Sequence, residues 1–182
     1  MSTAEKLILK PEALTKEAFA SFGDVIQVGG EPIMINEGTT ERYHRLSDVT
    51  LGDNEGEAMG IINIFRAQPR TLPMAITMME RHPLGSQAFL PTNNKPYLVL
   101  VCLGETEPDP STLKLFLVEG PISSIADAPV SVTGVSYKAN CWHHPLIALG
   151  DVTDFWVVDR LGGGNNLEEK DFDANLSIEI QL

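Results

Sequence analysis

Apolar residues recur along this chain in short blocks closed by proline and glycine, not in helical stripes. The run Tyr97-Leu98-Val99-Leu100-Val101-Cys102-Leu103 enters from Pro96 and stops at Gly104. An unbroken apolar block of that length predicts a strand buried on both faces. Shorter blocks predict further strands over 61–66, 75–82, 113–118, 152–158 and 177–182. Between them stand Gln68-Pro69, Leu72-Pro73, His82-Pro83, Leu90-Pro91, Pro108-Asp109-Pro110, Gly120-Pro121 and Gly162-Gly163-Gly164, all turn signals. Only one helix is well marked, with Thr15 as N-cap, Glu17 in the first turn and Gly23 as the stop. The acidic stretch 168–173 predicts a solvated face. Many short strands with such turns predict an all-β (mainly) fold, a sandwich or barrel with a few short helices. With no repeat and no linker, residues 1–182 are expected to form a single domain.

Composition narrows the function. Hydrophobic residues make up 43 % of the chain, enough for a core. The net charge of −12 argues against nucleic acid and anionic membrane surfaces as partners. No apolar run approaches the ~20 residues of a membrane helix. The first ten residues lack the pattern of a secretory leader, so the cytoplasm is the expected location. In so negative a field, an anionic substrate needs a local cation. The two cysteines form no CxxC pair; Cys102 sits in an apolar run as a core residue, and Cys141 reads as structural sooner than as a nucleophile.

Two polar clusters carry candidate chemistry. The first is Glu80-Arg81-His82-Pro83-Leu84-Gly85-Ser86-Gln87. Strand alternation puts Glu80 and His82 on one face, with Ile76 and Met78, and turns Arg81 away. Cupin barrels place a His-x-His pair and a following glutamate at such a point; Glu80, His82 and Gln87 stand at those positions here. The second is Tyr137-Lys138-Ala139-Asn140-Cys141-Trp142-His143, where His143 stands at the histidine of the second cupin motif. Glu80, His82, Gln87 and His143 have the chemistry to hold a divalent ion such as nickel or zinc, or to act as an acid/base set without one. The alternative is a hydrogen-bonded polar plug, disfavoured because burying several ionisable groups without a task is costly. Arg66 shares a strand face with Ile62 and Ile64; if that face lines the barrel, a planar carboxylate is its natural partner, and if not, it is a strand-end surface arginine with its stem laid over apolar neighbours.

Several stretches together resemble the ureidoglycolate lyase family: Phe22-Gly23-Asp24-Val25-Ile26, Glu41-Arg42-Tyr43-His44, Arg66-Ala67-Gln68-Pro69, the Glu80 to Pro91 segment, Trp142-His143-His144-Pro145-Leu146 and Asp159-Arg160. The resemblance implies a cupin-like β-barrel, a homodimer, and cleavage of (S)-ureidoglycolate to glyoxylate and urea in allantoin degradation. It implies Glu80, His82 and His143 as catalytic residues, and Arg66, Gln87, Arg42 and His44 as contacts to a small anionic substrate. If a metal is bound, it implies Glu80, His82, Gln87 and His143 as its ligands. One departure is the stretch 121–134, longer than the family's usual link at this point. Alternatives are an amidohydrolase releasing ammonia from the same substrate, another small-molecule cupin enzyme, and a non-catalytic sensor barrel.

Overall fold

The computed structural model describes residues 5–52, 58–119 and 133–182. Nearly all of the long stretch 121–134 therefore lies outside the described residues. Strands dominate, and the one α-helix among the described residues is the single turn Lys16–Phe19. Thr15 caps it as predicted, its hydroxyl accepting the Ala18 N–H at 3.1 Å; such a cap is worth ~1 kcal/mol. Gly23 has a different task from the predicted stop. It opens the strand Gly23–Ile26, and a Cβ there would lie 1.9 Å from the Ser136 carbonyl oxygen of the neighbouring strand.

The Tyr97–Cys102 strand organises the molecule. All six of its residues are buried, as the apolar run predicts. Alternation sends Tyr97, Val99 and Val101 into one core with Phe19, Phe89, Phe116, Tyr137 and Phe155. Leu98, Leu100 and Cys102 enter a second core with Met79, Trp142, Ile147, Ile178 and Ile180. A strand apolar on both faces thus serves two layers, each fully buried side chain contributing ~1.5–3 kcal/mol of transfer free energy.

This strand lies within a seven-stranded sheet ordered Glu168–Asp171, Met78–Arg81, Trp142–His143, Tyr97–Cys102, Lys114–Val118, Glu12–Ala13, with Ile147–Ala148 also paired to Tyr97–Cys102. A five-stranded sheet, ordered Gly23–Ile26, Gly134–Tyr137, Gln87–Pro91, Thr153–Leu161, Met59–Ala67, closes the first core. A three-stranded sheet, Glu5–Leu9, Leu176–Ile180, Met74–Ile76, covers the second. The large sheets face each other without joining into one continuous hydrogen-bonded barrel, and the fold is mainly β and cupin-like. No helix among the described residues is long and apolar enough to cross a membrane.

Two strand assignments differ from the sequence reading. The predicted strand over 75–82 breaks at Thr77, whose carbonyl accepts the Phe172 N–H at 2.8 Å. Met74–Ile76 joins the small sheet and Met78–Arg81 the large one. Ile76 therefore enters the second core beside Met79 and does not share the face of Glu80. The acidic stretch is not merely a solvated face: Glu168–Asp171 is the edge strand beside Met78–Arg81.

Candidate functional site

Alternation within Met78–Arg81 builds the site from the first cluster. Met79 faces the second core. Arg81 points the same way; it stacks 4.4 Å over the Trp142 ring and donates to Glu168 and to the Glu105 carbonyl. Glu80 and His82 project toward the other side, into a cavity of about 800 Å³. Its wall also carries Phe65, Arg66, Arg70, Gln87, Phe89, Leu146, Asp159 and Leu167.

The second cluster arrives by strand register. His143 is the partner of Glu80 across the Trp142–His143 strand. The preceding turn holds that register: Asn140 takes a left-handed φ of 68°, which asparagine tolerates better than most residues. Its N–H donates to the His82 carbonyl at 2.8 Å, locking the two clusters together. One oxygen or nitrogen from each of Glu80, His82 and His143 lies within 4.8 Å of the others.

Backbone carbonyls fix both imidazoles. His143 Nδ1 lies 2.9 Å from the Cys141 carbonyl oxygen, and His82 Nδ1 lies 2.6 Å from that of Asn166. A carbonyl oxygen only accepts, so each Nδ1 carries the proton and donates it. Each Nε2 is thereby left for other chemistry. Among the described residues His143 Nε2 is buried without a hydrogen-bond partner, and the nearest Glu80 oxygen is 3.5 Å away. Burial pushes the Glu80 carboxyl up. The polar contact and charge of His143, with His82 and His144 beyond, outweigh it and hold Glu80 below the usual carboxylate range. His144, buried, is pushed down. His143 also stacks on Tyr137, with ring centroids 4.2 Å apart.

Gln87 opens the strand Gln87–Pro91, and its Nε2 donates to Asp159 Oδ2 at 3.2 Å. Arg66 reaches the cavity differently from the sequence reading. Its strand neighbours Ile62 and Ile64 are exposed, so that face is the outside of the sheet and not a barrel lining. Met59–Ala67 is an edge strand, which leaves that side uncovered. Arg66 curls to the cavity mouth with two 2.8 Å bonds to Asp154 across the strand pair. Arg42 and His44 are not brought there. They flank an exposed hairpin, Ile33–Ile35 with Thr40–Arg42, that pairs only with itself among the described strands, and Arg42 Nη2 bonds His44 Nδ1 at 2.8 Å. Cys141 is buried and its thiol is pushed up to about 12, which removes it as a nucleophile at neutral pH.

Sequence reasoning missed three residues. Arg70 is a second cation on the wall. Asp159 orients Gln87. Asn166 holds His82 through its carbonyl and the Leu84 N–H through its side chain at 2.8 Å. The signals were Arg70 directly after the Arg66 to Pro69 motif, Asp159 within the family-like pair Asp159-Arg160, and the polar pair directly after the triple glycine.

Fold and site together define a mainly-β, cupin-like protein with a cavity whose wall carries a carboxylate and an imidazole, a second imidazole buried beside them, and two cations. Within that class, this chain belongs to the ureidoglycolate lyase family, whose sequence profile matches residues 6–179. A ureidoglycolate lyase of Burkholderia mallei is 47 % identical over 170 residues, covering 92 % of this chain and 91 % of that one. Ureidoglycolate lyase 1 of Rhizobium meliloti is 48 % identical over 169 residues, 91 % and 90 % of the two chains. A ureidoglycolate lyase of Brucella melitensis is 49 % identical over 162 residues, 88 % of each. Among solved structures, a dTDP sugar isomerase of Desulfovibrio desulfuricans G20 superposes with a TM-score of 0.43 at 18 % identity over 84 % of each chain, too distant to bear on function.

Proposed function

We propose that this protein is a ureidoglycolate lyase that cleaves (S)-ureidoglycolate into glyoxylate and urea. Glu80 and His82 on the cavity wall, with the buried His143 beside them and Arg66 and Arg70 on the same wall, carry the reading. The substrate is a hemiaminal, with a carboxylate, a hydroxyl and a ureido nitrogen on one carbon. Cleavage removes the hydroxyl proton, turns that O–H pair into the new C=O bond, and breaks the C–N bond with its electrons going to nitrogen. The nitrogen then takes a proton and urea leaves. Hydrolysis of the ureido carbonyl would instead need an activated water and an oxyanion stabiliser aimed at that carbonyl.

The residues fit a divalent ion. Two imidazoles with Nδ1 tied to carbonyls and a carboxylate within 4.8 Å are a borderline-cation donor set. His143 is 2 % exposed and its Nε2 has no hydrogen-bond partner among the described residues, so it is poorly placed to exchange protons with substrate but suited to be a ligand. Glu80, His82 and His143 would hold nickel or zinc, which when bound would polarise the substrate hydroxyl. Without an ion, the Glu80 carboxylate accepts the hydroxyl proton, and His82 Nε2, unprotonated while Nδ1 holds its own proton, relays it to the departing nitrogen. In both uses the Nη1 edge of the Arg66 guanidinium, turned from Asp154, and the Arg70 guanidinium draw the substrate carboxylate to the mouth.

We also propose a homodimer, supported by the exposed outer face bearing Ile62, Ile64 and Trp156. A cytoplasmic location suits the two free thiols, Cys102 and Cys141. The test of function is incubation of pure protein with ureidoglycolate while glyoxylate, urea and ammonia are measured separately. Equimolar glyoxylate and urea are expected, and Glu80→Gln or His82→Ala should each lower kcat roughly 10²- to 10⁴-fold. Stoichiometric ammonia from a preparation free of urease would favour the amidohydrolase reading.

A further inference from the structure

We infer that Asp159 is a positioning residue: it decides which end of the Gln87 amide faces the cavity, and so makes that site selective for the N–H groups of a ureido moiety. This rests on the lyase reading and goes beyond it by assigning the subsite for the departing urea.

A glutamine amide has a donor end and an acceptor end of nearly equal shape, and its neighbours decide which way it points. Gln87 is 4 % exposed yet contributes to the cavity wall. Its Nε2 lies 3.2 Å from Asp159 Oδ2. A carboxylate oxygen accepts and does not donate, so the nitrogen must take that side. Asp159 cannot easily turn away, because its Oδ1 accepts the Arg160 N–H at 2.7 Å. Gln87 Oε1 is thereby directed elsewhere, and among the described residues it is buried with no hydrogen-bond partner.

A buried carbonyl oxygen without a donor is costly, and a fold retains one where a ligand supplies the donor. Ureidoglycolate carries N–H donors only at its ureido end, apart from the hydroxyl that reacts; its carboxylate end has none. The cations Arg66 and Arg70 suit the carboxylate, and Gln87 Oε1 suits the ureido N–H groups. The two ends of the substrate are thus told apart by charge at one site and hydrogen-bond polarity at the other.

Asp159→Asn is nearly isosteric and inverts this polarity. The oxygen of the introduced amide keeps the Arg160 N–H, so its NH₂ faces Gln87. Gln87 then turns its oxygen outward to that NH₂ and presents its own NH₂ to the substrate's N–H groups, donor against donor.

The experiment compares the full-length wild type with Asp159→Asn, Gln87→Leu and the double variant. It measures kcat and KM for ureidoglycolate, inhibition by urea and by glyoxylate, and bound metal. Asp159→Asn is expected to raise KM roughly 10- to 100-fold, with kcat far less affected, because a contact made equally in ground and transition states is lost. Urea inhibition should weaken in parallel and glyoxylate inhibition should not. In the Gln87→Leu background Asp159→Asn should add nothing, since its effect passes through the amide. A purely structural role for Asp159 would persist in that background and would overturn the inference. So would loss of bound metal on Gln87→Leu, which would make Oε1 a ligand. Wild type that turns over ureidoglycolate beside an Asp159→Asn variant with unchanged KM and urea inhibition overturns the role of Asp159 alone. Wild type that neither turns it over nor binds urea overturns the lyase reading as well.

Discussion

Arg81 and Arg66 should behave as opposites when each is replaced by alanine. Arg81 is buried against the second core, 4.4 Å over the Trp142 ring, with Glu168 and the Glu105 carbonyl as acceptors. A desolvated cation–π contact is worth ~2 kcal/mol. Hydrogen bonds to a charged group contribute ~1.5–3 kcal/mol each. These terms share one side chain and do not add fully. The Glu168 side chain is 35 % exposed, so water recovers part of its loss. A net cost of ~3 kcal/mol follows for Arg81→Ala, a fall in Tm of ~6–12 °C for a chain of this size. Arg66, by contrast, is 68 % exposed and sits on an edge strand with Asp154 as its partner. Arg66→Ala should leave the unfolding midpoint nearly unchanged and lower kcat/KM roughly tenfold or more, because the anion loses its cation at the mouth. Urea unfolding followed by circular dichroism, with the slope checked for constancy, measures the first effect, and glyoxylate release per folded molecule the second. The reasoning is refuted if Arg81→Ala unfolds within ~1 kcal/mol of wild type, or if Arg66→Ala lowers stability while leaving kcat/KM intact.

Dialysis against a strong chelator should remove one divalent ion per site with most of the activity, and a single added ion should restore it; His143→Ala should fail to retain that ion by elemental analysis. Full activity in protein free of metal would leave the three side chains as an acid/base set. Burial raises the Cys102 and Cys141 thiols from 9.0 to about 12, so the unfolded chain releases these protons first as pH rises. The stability they contribute is complete below pH 9 and is lost toward pH 12; Cys102→Ala/Cys141→Ala should flatten that alkaline decline in unfolding experiments, and an unaltered slope would assign it to other groups. Trp156→Lys, on the exposed outer face, should shift the protein toward monomer in sedimentation equilibrium, and an unchanged mass would place any dimer contact elsewhere.

The strand carrying the cores was legible because an unbroken apolar run has a single physical reading, burial on both sides. The pairing of Glu80 with His82 was legible for a related reason: a period of two puts them together and Arg81 apart, whatever the sheet does next. What alternation could not supply was which side of each sheet is inside. Ile62, Ile64 and Arg66 share a face in the sequence and in the structure, but their strand is an edge and that face is the outer one. The break at Thr77 escaped notice because Ala75 to Met79 is continuously strand-like in composition. Only the docking of Phe172 onto the Thr77 carbonyl separates the two strands, and that partner is 95 residues distant in the chain.

The same limit explains which parts of the site were found. Glu80, His82, Gln87 and His143 belong to compact motifs, so their types and spacing mark them. Asn166 and Asp159 act by orienting those residues from loops and strands 72 to 84 positions away. Their contribution lies in a carbonyl and a carboxylate oxygen aimed at one ring and one amide, and no local spacing encodes such an aim. Arg42 and His44 stand apart for the converse reason. As a polar knot they have the residue types of an anion site, yet the hairpin that carries them is exposed and outside the cavity lining, with Arg42 Nη2 bonded to the His44 ring. Residue type proposes chemistry, but the hydrogen-bond partner each group already has determines whether that chemistry is free to act. By this measure the informative atoms are His143 Nε2 and Gln87 Oε1, both buried and without a hydrogen-bond partner among the described residues.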